Sequence, residues 1–119
     1  MAIPDRQDFM LPILKIAGDG NVHSNQELYE TLAQEFGLTE ADRMERIPSN
    51  RDKIFNNRVR WACTDLRYAL LLRSTRSSKF RITERGMNVL KENPSYIDRK
   101  YLKRFPEYLD YVRRKNRKN

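Results

Sequence analysis

Phe55, Val59, Ala62, Leu66, Ala69 and Leu70 recur at intervals of three and four. That is the period of an α-helix burying one face, and no strand can place such a set on one side. The stripe predicts a helix over roughly 51–70 and requires other elements to cover it. Ser49 and Asn50 are suitable caps for its start. Directly after it, 71–74 and 80–83 are short enough for strands, joined by Thr75, Arg76, Ser77, Ser78 and Lys79.

The same stretch is strongly charged. Residues 51–81 hold nine Lys/Arg against Asp52 and Asp65, a net of +7. Residues 1–50 hold four basic and nine acidic side chains, and 82–119 hold eleven basic and five acidic. The overall +8 is therefore confined to the second part, which points to a polyanionic partner there. A basic balance kept only for solubility would be spread more evenly. At 119 residues the chain has room for one domain. No apolar run approaches the roughly 20 residues that span a bilayer, and the first residues lack a secretory pattern. Cys63 stands alone, so no internal disulfide forms, and a reducing cytoplasm is the expected setting.

Local signals order the rest. Phe9, Met10, Ile13, Leu14 and Ala17 predict a helix over 8–17 that ends at Gly18, with Pro12 starting its regular part or kinking it. Ser24 and Glu27 form a capping-box pattern opening a helix to about Phe36, stopped by Gly37. Thr39 to Asp42 caps a short helix that ends before Pro48. Thr83 caps another, with Val89 and Leu90 inward, closing near Asn93 and Pro94. Beyond it, Ile97, Tyr101, Phe105, Tyr108 and Val112 keep helical spacing, with Pro106 suited to a first turn. The expected fold is mainly α with a small β-hairpin, a winged helix-turn-helix with a C-terminal helical extension. The winged helix takes 1–94, the extension 95–114, and 115–119 is expected to be a disordered basic tail.

HSNQELYETLAQEFGLTEADR, FNNRVRWA, FRITERGMNVLKENP and YLKRFPEYLDYV, preceded by Ile3-Pro4-Asp5, stand in one order over about residues 3–112. In these blocks the chain resembles the N-terminal winged-helix domain of Mrr-type restriction endonucleases. The resemblance implies the DNA-reading half of a modification-dependent (type IV) enzyme, one that helps select methylated DNA ahead of a PD-(D/E)xK nuclease domain. No acidic-acidic-lysine constellation on a strand pattern replaces that nuclease half, so no catalysis is expected of this chain. The chain is either a stand-alone reader or a domain cut from a longer enzyme. Where the family often has glycine, this chain reads Ala69-Leu70-Leu71-Leu72 at the helix end and Thr75-Arg76-Ser77-Ser78 in the hairpin. A longer or more mobile wing is the expectation from the second departure.

A recognition helix needs long donors for phosphates and base edges, with amides and hydroxyls for specific pairing. The outward face of the long helix offers Ser49, Asn50, Arg51, Lys53, Asn56, Asn57, Arg60, Thr64 and Arg67, with no acidic side chain expected on it. Trp61, at the margin of the stripe, can press on a base methyl or pack under a neighbouring helix. In the wing, Arg73, Arg76, Ser77, Ser78, Lys79 and Arg81 can reach phosphate or the minor groove. The alternatives are a solvated helix face and an edge hairpin guarded by cations. Arg58 points nearer the buried side and suits a structural salt bridge. His23 is expected to be structural, and one His with one Cys cannot make the usual four-ligand zinc site. No cofactor is expected. The aromatic C-terminal stripe either docks on its own domain or, with Lys103, Arg104, Arg113 and Arg114, forms a dimer interface or second DNA contact. The expected partner is double-stranded DNA, methylated or not, with a nuclease domain or a second copy as further candidates. The alternative is a winged-helix domain that mediates protein contacts or dimerisation without reading DNA sequence.

Overall fold

The computed structural model describes residues 3–48 and 52–117. Helix α1 (Arg6–Ala17) opens on a capping box in which the Asp5 and Asp8 carboxylates satisfy each other's free amides. It therefore starts two residues before the expected position, and Pro12 lies inside it. A two-residue strand β1 (His23–Ser24) leads into α2 (Asn25–Glu35), capped by Ser24 and Glu27 as their spacing predicts. Thr39 and Asp42 cap α3 (Glu40–Met44) in the same way.

The long helix α4 spans Ile54–Tyr68, not 51–70. Its N-cap is Lys53, whose side chain makes no capping bond. Backbone pairing delays the start: Arg46 bridges Lys53, and Ile47 N–H donates to the Asp52 carbonyl. Lys53 is thereby held extended, with ψ at 136°. Ser49, Asn50 and Arg51 themselves lie outside the described residues.

At the other end the apolar period outlasts the helix. Leu71 N–H donates to the Leu66 carbonyl and Leu70 N–H to the Arg67 carbonyl, both at 2.9 Å. These are the paired bonds of a Schellman close, which puts the intervening residue in the left-handed region. That residue is Leu70, at φ 62° and 44% exposed, not inward as its spacing suggests. A side chain there costs about 1–2 kcal/mol of backbone strain. Leu70→Gly is expected to raise stability by about 0.5–1 kcal/mol, read as a shift in the urea midpoint. An unchanged or lower midpoint would show that the close carries no strain.

Strands β2 (Leu72–Arg76) and β3 (Lys79–Ile82) form the hairpin, and β3 also pairs with β1, giving the sheet order β1-β3-β2. Ser77 and Ser78 alone make the turn, Ser78 taking φ 60° in place of a glycine. The wing is therefore tight, and Ser24↔Lys79 pairing plus the Asn25 N–H bond to the Ser78 carbonyl tie it to α2. Thr83 joins two elements: its hydroxyl donates to the Leu70 carbonyl and accepts from Gly86 N–H at the start of α5 (Glu84–Lys91). A Cβ on Gly86 would run into the Leu71 carbonyl oxygen, so this glycine allows α5 to lie directly on the strand entry.

The extension is two helices, α6 (Arg99–Leu102) and α7 (Pro106–Arg117), separated by a turn, and α7 begins at Pro106. It is helical through Arg117. Ile97, Leu102 and Tyr108 are fully buried in the same core as Phe9, Phe55 and Leu66. The aromatic stripe thus docks on its own domain. Tyr108 donates to Asp65 on α4 at 3.1 Å and accepts from Arg99 Nε at 3.1 Å. Tyr111 stacks on Tyr68 with ring centroids 3.8 Å apart. Burial pushes the Asp65 carboxyl above its ordinary value, against the Arg6 charge and the Tyr108 hydroxyl. Arg6 Nε lies 3.3 Å from its second oxygen without hydrogen-bond alignment.

Candidate nucleic-acid interface

The outward face of α4 and the inner face of the hairpin enclose a 280 Å³ cleft. Arg60, Thr64 and Arg67 line it from α4, and Ser74, Arg76, Ser77, Ser78 and Lys79 from the hairpin. The register shift between Ser74 and Arg76 sets Arg76 opposite Lys79, which gathers both cations at the turn. Among the described residues Arg67 reaches hydroxyls alone, Ser74 Oγ at 3.5 Å and Thr64 Oγ1 at 3.4 Å. Among the described residues no carboxylate pairs with Arg67, Arg76 or Lys79. All three side chains line this one groove. Asn25, at the start of α2, also lines it. Sequence reasoning missed Asn25 because it enters through the β1–β3 pairing.

The rest of the helix face is not free of acid, contrary to expectation. Asp52 folds back from ahead of the helix to pair with Arg60 Nη2 and to accept from Asn57 Nδ2 at 3.3 Å. Arg60 Nη1 also donates to the Tyr29 hydroxyl at 3.4 Å. Burial works to raise the Asp52 carboxyl, but the bonds from Arg60 and Asn57 outweigh it and hold it below its ordinary value. Arg60 is thus engaged within the domain, whereas Arg67 is engaged only by neutral groups.

The remaining predicted residues divide. Lys53 and Asn56 are half-buried on the α4 side and do not line the cleft. Trp61 lines a separate 310 Å³ hollow with Asn57, Arg60 and Thr64. Its ring carries two cations, Arg6 at 5.5 Å and Lys115 at 4.4 Å from the centroid. Arg73 and Arg81 pair with each other across the strands and lie outside the cleft. Arg81 donates to the Gly20 carbonyl at 2.8 Å, a structural tie between β3 and the loop after α1. Arg58 is structural too, but it bonds the Ile3 and Pro4 carbonyls at 3.0 and 3.1 Å instead of an acid.

His23 is held by Glu27 at 2.6 Å and Asp19 at 2.8 Å and stacks on Phe80. Burial disfavours its protonation, yet those two carboxylates outweigh burial and raise the imidazole above its ordinary value. Burial pushes the Cys63 thiol up to about 12, which keeps it protonated at neutral pH and useless as a nucleophile. Among the described residues no cluster of His, Cys, Asp and Glu could hold a metal ion, and no helix is long and apolar enough to cross a membrane.

A three-helix core, a long helix with a cationic outward face and an antiparallel hairpin beside it define a winged helix-turn-helix domain. The family model of the Mrr N-terminal domain matches residues 7–92, so the chain belongs to that family. It is the N-terminal domain of Mrr-type restriction proteins, distinct from their catalytic nuclease domain. No curated protein and no solved structure matches the chain.

Proposed function

We propose that this domain binds double-stranded DNA and serves as the specificity module of an Mrr-like restriction system, with a preference for methylated sites. The observation that carries the binding is the groove where Arg67, Arg76 and Lys79 converge without carboxylate partners. Such cations neutralise phosphates and release counterions, which supplies most of the affinity for duplex DNA. Within this reading α4 lies in the major groove and the Ser77-Ser78 turn follows the backbone. Thr64, Asn56 and Asn57 supply hydroxyl and amide groups for base edges, and Lys53 brings the start of the helix to phosphate. Ser49, Asn50 and Arg51, outside the described residues, are proposed as further DNA contacts from the sequence alone. Arg73 and Arg81 add long-range attraction from the back of the wing.

The lean toward methylated DNA rests on family membership and on the hollow beside Trp61. An indole flanked by Asn57 and Thr64 offers apolar surface next to hydrogen-bonding groups, the chemistry that contacts a base methyl in the major groove. Cleavage is assigned to a nuclease domain or partner protein, not to this domain.

A titration of matched duplexes, unmodified, adenine-methylated and cytosine-methylated, at two salt concentrations tests this. Salt-dependent binding with tighter affinity for one methylated duplex is the expected result. Equal affinity for all three would leave a nonspecific binder. A second reading, a protein-interaction or dimerisation domain, is favoured by the exposed Tyr68 and Leu70 side by side at the end of α4. A tight dimer by light scattering, with no salt-sensitive DNA binding, would establish it instead.

A further inference from the structure

Helix α7 lies beyond the residues matched to the family and closes one flank of α4. Its last turns carry Arg113, Arg114, Lys115 and Arg117, all exposed. Two of these are brought to the edge of the outward face of α4. Lys115 Nζ sits 4.4 Å above Trp61, whose ring lines the hollow with Asn57, Arg60 and Thr64. Arg114 shares with Arg67 a 400 Å³ cleft that contains no wing residue. Arg67 thus borders both clefts, one toward the hairpin and one toward α7.

We propose that the basic end of α7 is a second phosphate-gripping flank, so that duplex DNA is held between the wing and α7 with α4 between them. This rests on the DNA-binding reading above. Cations near a helix C-terminus also complement the helix dipole. That effect accounts for neither the seat of Lys115 over Trp61 nor the position of Arg114 beside Arg67. The acids in the second cleft do not close it to phosphate. Glu107 is taken by Arg85 at 2.8 Å, and Asp110 meets Arg114 at 3.4 Å in a solvent-exposed pair. Exposed pairs of that kind contribute little and exchange readily for another anion.

The test is a salt series of duplex titrations on the full chain carrying Arg114→Gln with Lys115→Gln. Two lost phosphate contacts are expected to make the slope of log affinity against log salt shallower by about 2, and to weaken binding roughly 10- to 60-fold near 0.1 M salt. Lys15→Gln with Lys91→Gln removes the same charge from exposed positions outside the clefts described above, and is expected to shift the slope by well under one unit. Lys115→Met with Arg114 intact keeps an apolar stem on Trp61 but removes the charge, and is expected to make the slope shallower by about 1, which separates charge from packing on Trp61. An Arg114/Lys115 variant that behaves like the Lys15/Lys91 control would overturn the α7 assignment. Arg76→Gln with Lys79→Gln in the same series keeps the two readings apart. Loss of affinity there, with α7 silent, leaves the wing-and-helix reading standing. Absence of salt-sensitive binding by the wild-type chain removes both.

Discussion

Reversing Arg67, Arg76 and Lys79 together to glutamate is expected to weaken duplex DNA binding by about a thousandfold or more at physiological salt. Each of the three loses a phosphate attraction and gains a repulsion, and near-complete loss follows if three contacts supply most of the electrostatic free energy. The fold is expected to survive, because all three side chains are exposed and none is half of an ion pair among the described residues. Fluorescence anisotropy on a labelled duplex reads the binding, and far-ultraviolet circular dichroism confirms the helices. Affinity within tenfold of wild type would remove the groove from the interface. Arg60→Glu is a poorer probe, since it sets a second carboxylate against Asp52 and beside Tyr29. Its effect would mix lost contact with local repulsion.

Tyr108→Ala is expected to cost about 3–5 kcal/mol of stability, the largest effect of any single change considered. The ring is fully buried where α7 meets the core, and its hydroxyl links Asp65 on α4 to Arg99 on α6. Tyr108→Phe keeps the ring and removes only that link. It is expected to cost about 1.5–3 kcal/mol, because a buried carboxylate loses a donor. Urea denaturation of both variants measures the two parts separately. A Tyr108→Ala midpoint equal to wild type would mean that α7 is not docked as described.

Most of the helices were legible because their signals are local. Ser24 with Glu27, Thr39 with Asp42 and the Thr83 hydroxyl each cap within three residues, so side chain and backbone agree before any tertiary contact forms. The core stripe of α4 was legible for the same reason up to Ala69. Leu70 was misjudged because periodicity records composition and not the point where a helix closes. Here two backbone bonds turn the chain through a left-handed residue while apolar residues continue.

β1 could not be seen, since two residues carry no alternation and owe their extended shape to Phe80 and Lys79, more than fifty positions away. The acid on the outward face of α4 was missed for a related reason. Asp52 precedes the helix, where a helical projection has no meaning, and the bridge between Arg46 and Lys53 turns its carboxylate back toward Arg60. The charge pattern of the candidate groove was therefore readable as a sum but not as a distribution.

The pairing of β1 with β3 also determines what can vary. Ser24, which starts α2, is backbone-paired to Lys79, which ends the wing turn. The placing of the wing turn against α2 is therefore set by main-chain hydrogen bonds that every residue except proline can donate. Side chains on the wing turn can be exchanged without altering that backbone tie. Under the proposed DNA-binding reading, such a domain can change which sequence it reads while keeping its wing in place.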